Sequence, residues 1–338
     1  MRQATMTAPG VIEIRDAPLP SLSADQVLLR VRRIGVCGSD VHVYHGKHPF
    51  TSYPVVQGHE FSAVVEGVGA KVAGVSVGDK VTATPQEVCG ACRPCLRGDY
   101  HICDSLRVRG FQAPGCAQDL FVTEEAKIVP LPASFTFEQG ALVEPVAVGV
   151  HSVSRVGGVN GRNVAVLGAG PIGNLVAQVA RAGGARVLVT DISDFRLDVA
   201  RRCGLDQTSN ARTESLSAAA ALTFGRAGFD IAFECAGVEE TINAAVGSIQ
   251  KGGTIVLVGV YGERPRLDIG LVQDRELNLV GTLMYKYEDF TRAVELMASG
   301  RVVTAPLESR HFSFEQYASA YEFIDRAGDR SMKVFVDL

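Results

Sequence analysis

Asn163-Val164-Ala165-Val166-Leu167-Gly168-Ala169-Gly170-Pro171-Ile172-Gly173 is the stretch on which the fold turns. An apolar run of strand length feeds into G-x-G-x-x-G, and residues 171–182 continue with helical spacing. A second apolar run, Arg186-Val187-Leu188-Val189-Thr190, ends at Asp191, 18 residues after Gly173. Alone the glycine pattern is weak; strand, loop, helix, strand and acidic residue in this order are what a dinucleotide-binding βαβ unit requires. Gly168 allows the tight turn, Gly170 lets the backbone approach a pyrophosphate, and Gly173 permits close packing of helix on strand. Pro171 and Ile172 complete the loop at a helix N-terminus, which attracts negative charge. Asp191 is placed to accept hydrogen bonds from the adenosine ribose and to repel a 2′-phosphate, favouring NAD over NADP. Its competing reading is a helix N-cap. Arg196 pulls the other way, because a nearby cation can pair with a phosphate.

The same alternation continues outward. Helical patterns at 195–203 and 239–249 separate apolar runs at 229–233 and 254–258, and a last run at 277–281 falls at the sheet's edge. Continuous apolar strands alternating with amphipathic helices predict a parallel, doubly wound sheet covered on both faces. Before residue 140 the texture differs. Short apolar runs such as 27–31, 61–65 and 80–83 are broken by Gly and Pro, predicting an irregular, largely antiparallel β domain. The segment 140–156 is Ala- and Val-rich and helical. Helices at 287–299 and 314–325 and a strand at 333–336 return the chain to the first domain.

At 338 residues the chain is long enough for two domains. Hydrophobic residues make up 46% and charged residues 21%, ordinary for a globular protein with a substantial core. The net charge of −4 comes with no basic run, which argues against nucleic acid as a partner. No apolar stretch approaches the length of a membrane span, and the N-terminus lacks a signal-peptide run. A cytoplasmic, reducing location is expected, where eight cysteines read as metal ligands or buried thiols rather than disulfides.

Four of those cysteines decide between the two readings. Cys89, Cys92, Cys95 and Cys103 follow C-x2-C-x2-C-x7-C. Four thiolates on one loop can close a tetrahedral Zn²⁺ completely, leaving no position for substrate, so this site is read as structural. An iron–sulfur cluster and a DNA-binding zinc module are the competing readings. His101 lies within the loop but has no ligand position left, and a solvated side chain is expected.

A second constellation carries the chemistry: Gly35-Val36-Cys37-Gly38-Ser39-Asp40-Val41-His42, Gly58-His59-Glu60 and Leu142-Val143-Glu144-Pro145. Cys37 and His59 are candidate zinc ligands, with Glu60 or Glu144 offering a carboxylate; three ligands would leave the open position a catalytic zinc needs. Taken singly, Cys37 reads as a buried thiol and Glu60 as a surface carboxylate.

Taken together, these motifs resemble the zinc-dependent medium-chain dehydrogenase/reductase superfamily over nearly the full chain, and within it the polyol (sorbitol-type) branch. The resemblance implies an α/β chain. A GroES-like, mainly β catalytic domain would comprise residues 1–147 and 286–338, with a structural zinc lobe at about 86–106. A Rossmann NAD-binding domain would be inserted at 148–285. It implies two zinc ions per chain, one structural and one held by Cys37, His59 and Glu60. Glu144 stands where simple alcohol dehydrogenases carry a second ligand cysteine, and would bind the zinc water or exchange with Glu60. Zinc would polarise a secondary alcohol, a hydride would pass to the nicotinamide, and the proton would leave through Ser39 and His42. Asp40 would orient neighbouring groups. His45, His48, His151 and His311 have no motif support and are assigned structural roles.

Tyr44, Phe111 and Tyr285 are candidate pocket walls. Where sorbitol-type enzymes often carry an arginine beside the tyrosine at Tyr285, this chain has Met284 and Lys286, a departure that tells against sorbitol itself without removing polyols as a class. A polyol, a sugar acid and, as in L-threonine 3-dehydrogenase, threonine are the candidate substrates. A non-catalytic NAD-binding regulatory protein is the reading from a different class. The edge strand near 277–281 and the resemblance both point to a homodimer or homotetramer.

Overall fold

The computed structural model describes residues 1–338 and divides into two units. The first comprises Met1–Glu144, Lys286–Val294 and Glu308–Leu338; the second comprises Pro145–Tyr285 and Glu295–Leu307.

The axis of the first unit is the strand Gln26–Val36. Val27, Leu29 and Val31 are buried while Arg30 and Arg32 are exposed, the period-two pattern of a strand with one face on a core. It pairs antiparallel with Glu60–Val68, Leu120–Glu124 and the last strand of the chain, Lys333–Asp337. Lys80–Ala83 and Ile128–Pro130 extend the sheet on one side; Glu308–Ser313 closes the other by pairing parallel with Lys333–Asp337. The helix Tyr317–Ala327 lays Tyr317, Ala320 and Tyr321 onto this core, a buried stripe at spacings of three and four.

Register decides what this sheet presents. Gly35 lies opposite Glu60, and Val36 lies opposite Val334. The residues Cys37, Glu60 and Lys333 therefore emerge at adjacent ends of three neighbouring strands. A side chain at position 35 could not be accommodated: its Cβ would come within 2.4 Å of the Glu60 carboxylate.

The second unit is a six-stranded sheet, parallel throughout, in the spatial order Thr208–Asn210, Arg186–Asp191, Asn163–Leu167, Ile231–Glu234, Thr254–Leu257, Asn278–Gly281. This is the 3-2-1-4-5-6 order of the doubly wound fold. All five residues of Asn163–Leu167 are buried, as expected of a central strand covered on both faces. The topological switch lies beside it, and Gly168 begins at its carboxyl end. Asn278–Gly281 is the edge strand.

The boundaries differ from those read in the sequence. Residues 145–147 and Glu295–Leu307 group with the second unit. The cause of the second difference is a polar clamp. Gln178 is fully buried on the helix Pro171–Ala182; its side chain donates to the Val303 carbonyl at 2.9 Å and accepts from the Val303 N–H at 2.6 Å. No helix is long and apolar enough to cross a membrane. Gln178→Leu, which deletes both bonds together with the 2.8 Å bond that Gln178 donates to Asn174 while keeping the volume, is expected to destabilise this unit by roughly 1–3 kcal/mol. Thermal unfolding followed by circular dichroism measures the loss; an unchanged melting temperature would refute the clamp.

Candidate active site and metal centres

Cys37 is the N-cap of the short helix Gly38–Tyr44, and its backbone N–H donates to the Asp40 carboxylate at 3.0 Å. That bond turns the chain sharply as it leaves the strand and fixes the Cys37 thiol at the sheet end. Cys37 Sγ, a ring nitrogen of His59 and a carboxylate oxygen of Glu60 lie within 4.8 Å of one another. The donor set of sulfur, imidazole and carboxylate suits zinc, and three protein donors leave a position for a further ligand. Asp40, only 1% exposed, also brings Oδ1 to 3.5 Å from His59 Nδ1. That is an ion-pair distance rather than a hydrogen bond, and neither buried atom has another partner. A carboxylate behind a histidine fixes the ring and leaves the opposite nitrogen for a metal. Burial opposes a charge on His59, but Asp40 outweighs it and holds the imidazole pKa well above its ordinary value.

Glu60 is fully buried and not free. Lys333 Nζ donates to both carboxylate oxygens, at 2.8 and 2.7 Å, and also to the Val36 carbonyl at 3.4 Å. Burial disfavours the ammonium, yet Glu60, Cys37 and Glu144 together raise its pKa. Lys333 escaped the sequence reading because 273 residues separate it from Glu60; a lysine within the closing apolar strand was the only signal. Glu144 acts on Lys333 but is outside the three-donor group.

Ser39 donates to Cys37 Sγ at 3.1 Å, while His42 is exposed and shares no hydrogen bond with Ser39. Of the candidate pocket walls, Phe111 packs on His59 with ring centroids 5.0 Å apart. Tyr44 stacks on Tyr321 at 5.0 Å and belongs to the sheet's core. Tyr285 is fully buried in the second unit, with no surface left for a substrate. Lys286 is committed elsewhere, paired with Asp99 at 3.0 Å.

In the four-cysteine lobe Cys92 and Cys103 sulfurs are 3.8 Å apart, and Cys103 and Cys89 sulfurs 3.6 Å. Four sulfurs each ~2.3 Å from one zinc would stand about 3.8 Å from each other, so the lobe fits the ion. Backbone N–H groups of Ala91 and Cys92 lower the Cys89 thiol to about 6, whereas desolvation and the thiols of Cys92 and Cys103 push Cys95 up to about 12. A first thiolate forms readily and a later one is resisted, the behaviour of a crowded set that a cation completes. His101, expected in solvent, is buried, because the turn Tyr100–Ile102 folds it inward. Asp99–Lys286 and the Tyr100 hydroxyl, which accepts the Tyr287 N–H at 2.6 Å, fasten the lobe to the unit.

The glycine loop of the second unit fits a pyrophosphate. A Cβ at Gly173 would lie 1.8 Å from the Gly168 carbonyl oxygen, Gly168 has φ +99°, and Gly170 is open apart from an Arg196 nitrogen 3.9 Å away. Asp191 accepts the Ala169 N–H at 2.6 Å and the Ser193 N–H at 2.8 Å. The N-cap of the following helix is Ser193, not Asp191. Arg196 Nε is buried without a partner. Glu234, unforeseen from sequence and fully buried, accepts the N–H groups of Ala236 and Gly237 at 2.9 Å and the hydroxyls of Thr241 and Tyr261 at 2.8 Å. It thereby shapes the loops beside the switch.

Residues 23–133 match the Alcohol dehydrogenase GroES-like domain and residues 171–299 the Zinc-binding dehydrogenase family. The chain is 36% identical to 2-dehydro-3-deoxy-L-galactonate 5-dehydrogenase of Pseudoalteromonas atlantica, covering 93% of this chain and 92% of that one. It belongs to the zinc-dependent medium-chain dehydrogenases, in the polyol branch. A putative D-xylulose reductase of Rhizobium meliloti is 37% identical over 97% of this chain and 96% of its own. A putative zinc-binding dehydrogenase from Sinorhizobium meliloti, solved bound to NADP, superposes with a TM-score of 0.92 at 29% identity, covering 100% and 99% of the two chains. The dehydrogenase is thus an enzyme with a GroES-like domain and a Rossmann domain, and it uses zinc and a nicotinamide dinucleotide to oxidise a secondary alcohol.

Removing Lys333 tests the electrostatics of the centre. Lys333→Met leaves the Glu60 carboxylate buried and unpaired, which costs about 3–5 kcal/mol. Zinc supplies a replacement positive charge, so adding zinc to stripped protein is expected to raise the melting temperature of the variant more than that of the wild type. Equal shifts would show that Glu60 does not face the metal.

Proposed function

We propose that Cys37, His59 and Glu60 hold the catalytic zinc of this dehydrogenase, and that Cys89, Cys92, Cys95 and Cys103 hold a structural one. The observation that carries the first assignment is the convergence of those three donors within 4.8 Å, backed by Asp40 and Lys333. When bound, the metal supplies Lewis acidity toward the substrate hydroxyl and the dinucleotide supplies the hydride acceptor. The protein's own residues do the rest. Asp40 orients His59, and Lys333 holds the Glu60 carboxylate in place through two hydrogen bonds. Ser39, which donates to the Cys37 sulfur, and exposed His42 are the groups proposed to carry the substrate proton to solvent: Ser39 would pass its own hydroxyl proton onward as it accepts the substrate's, and His42 would exchange it with water. Glu144, within the field of Lys333, would be the second carboxylate available to the metal beside Glu60.

The dinucleotide site consists of Gly168, Gly170, Pro171, Ile172 and Gly173 for the pyrophosphate, with Asp191 and Arg196 at the ribose. Asp191 is held by two backbone N–H groups and presents fixed negative charge, which supports NAD over NADP. The substrate is proposed to be a polyol or sugar acid oxidised to the ketone, since relatives named for a sugar acid and for xylulose share more than a third of the sequence. The reaction is placed in the cytoplasm, where zinc-binding thiols stay reduced.

Two single variants separate the metals. Cys37→Ser is expected to keep one zinc per chain and NAD binding while turnover falls at least ~100-fold. Cys95→Ser is expected to lose the other zinc and to melt at lower temperature. Metal analysis, NADH fluorescence titration and NAD reduction across polyols, sugar acids and threonine read these outcomes. Activity persisting in zinc-depleted Cys37→Ser protein would overturn the assignment.

The exposed edge Asn278–Gly281 offers unpaired backbone groups, and the enzyme is proposed to be a homodimer or homotetramer. Light scattering coupled to size exclusion is expected to return at least twice the chain mass; a monomer at micromolar concentration would refute this.

A further inference from the structure

His48 carried no motif and was read as structural, yet its surroundings tie it to the reacting end of the first unit. After the helix Gly38–Tyr44 the chain reverses at Gly46, where φ is +68°. The two histidines flanking that turn part company. His45 is drawn to Asp325, 2.9 Å away. His48 instead stacks on Phe111, with centroids 4.8 Å apart and planes at 20°. Phe111 in turn packs on His59, so an aromatic row runs from the candidate zinc ligand to the His48 imidazole.

That imidazole is held on two sides and free on the third. Its Nδ1 is 2.7 Å from the Thr51 hydroxyl, while Nε2 makes no hydrogen bond within the protein and the residue is half-buried. A side chain needed only to cover Phe111 would be apolar; this one keeps a polar atom available at a fixed position. Burial first, then His42 and His59, lower its pKa against the opposing pull of Asp40, which favours the neutral ring. A neutral imidazole recognises a hydroxyl group better than it does a carboxylate, for which a charge would be needed.

We propose that His48 is a specificity-determining residue whose Nε2 hydrogen-bonds a second hydroxyl of the substrate, one not on the carbon being oxidised. The proposal rests on the functional reading above and deepens it: the preferred substrate is polyhydroxylated because His48 engages a hydroxyl that a simple secondary alcohol lacks. A fixed ring needs no ordering when substrate arrives, which is where a preorganised contact gains over a mobile one.

The test uses the full-length, zinc-loaded enzyme with NAD and compares kcat/KM for the best polyhydroxylated substrate in a panel of pentitols, hexitols and sugar acids, the polyols of this test, with that for butan-2-ol. His48→Phe keeps an aromatic ring on Phe111 and removes the nitrogen. The ratio of the two kcat/KM values is expected to fall about tenfold, the effect of one neutral hydrogen bond, mainly through a higher KM for the polyol. His48→Gln, which restores a polar group of similar reach, is expected to recover part of the ratio. A fall of less than about fivefold in His48→Phe, including an equal loss on both alcohols as a purely structural role predicts, would overturn the proposal. Wild-type enzyme that forms NADH from butan-2-ol but not from any polyol would do so too. Wild-type enzyme that forms NADH from no alcohol would bring down the functional reading itself.

Discussion

The contact between Lys333 and Glu60 is the constraint around which the catalytic unit is arranged. Both side chains are buried, so neither charge has solvent to stand in for its partner. Lys333 opens the last strand of the chain, Glu60 opens another, and Gly35 on the strand between them must lack a side chain to leave the carboxylate room. The ion pair therefore joins the two chain ends in one sheet and fixes the direction from which a carboxylate meets Cys37 and His59. A carboxylate left to solvate itself would turn away from that point. Held by the ammonium through both of its oxygens, it stays.

The dinucleotide unit solves a similar problem with backbone rather than side-chain donors. Asp191 and Glu234 are both buried acids at the carboxyl ends of strands on either side of Asn163–Leu167. Each accepts two backbone N–H groups from the loops there. Loops at a topological switch carry orphaned N–H groups, and a carboxylate satisfies two of them at once while fixing the loop's shape. The glycine loop is thus set before any cofactor arrives. The zinc lobe uses the third solution: lacking an apolar core, with Leu96 three-quarters exposed, it depends on four sulfurs.

Much of this was legible along the chain. The βαβ order around Gly168–Gly173 and the spacing of Cys89, Cys92, Cys95 and Cys103 are local patterns, and local patterns survive in sequence because their residues are neighbours. Cys37 with Ser39 and Asp40, and His59 with Glu60, were legible as motifs, although only their likeness to a family joined them. Lys333 was not legible, nor was Glu234, because neither sits in a local pattern. Tyr285 and Tyr44 show the opposite case: an aromatic near a motif reads as a pocket wall, yet Tyr285 is fully buried and Tyr44, half-buried, stacks on Tyr321 against the core. His101 failed likewise, since nothing in C-x2-C-x2-C-x7-C says which way a turn between ligands faces.

By itself, then, the sequence determined two folds, the four-cysteine set and a dinucleotide loop, because each depends on residue type at short spacing; Cys37, His59 and Glu60 came together only through likeness to a family. Only the tertiary structure decided which carboxylate meets Cys37 and His59, that a lysine from the far end holds it, and that His48 rather than His45 turns towards the site. Those outcomes depend on strand register and on the turn at Gly46. One residue of register would move every side chain to the other face, and no local pattern records it.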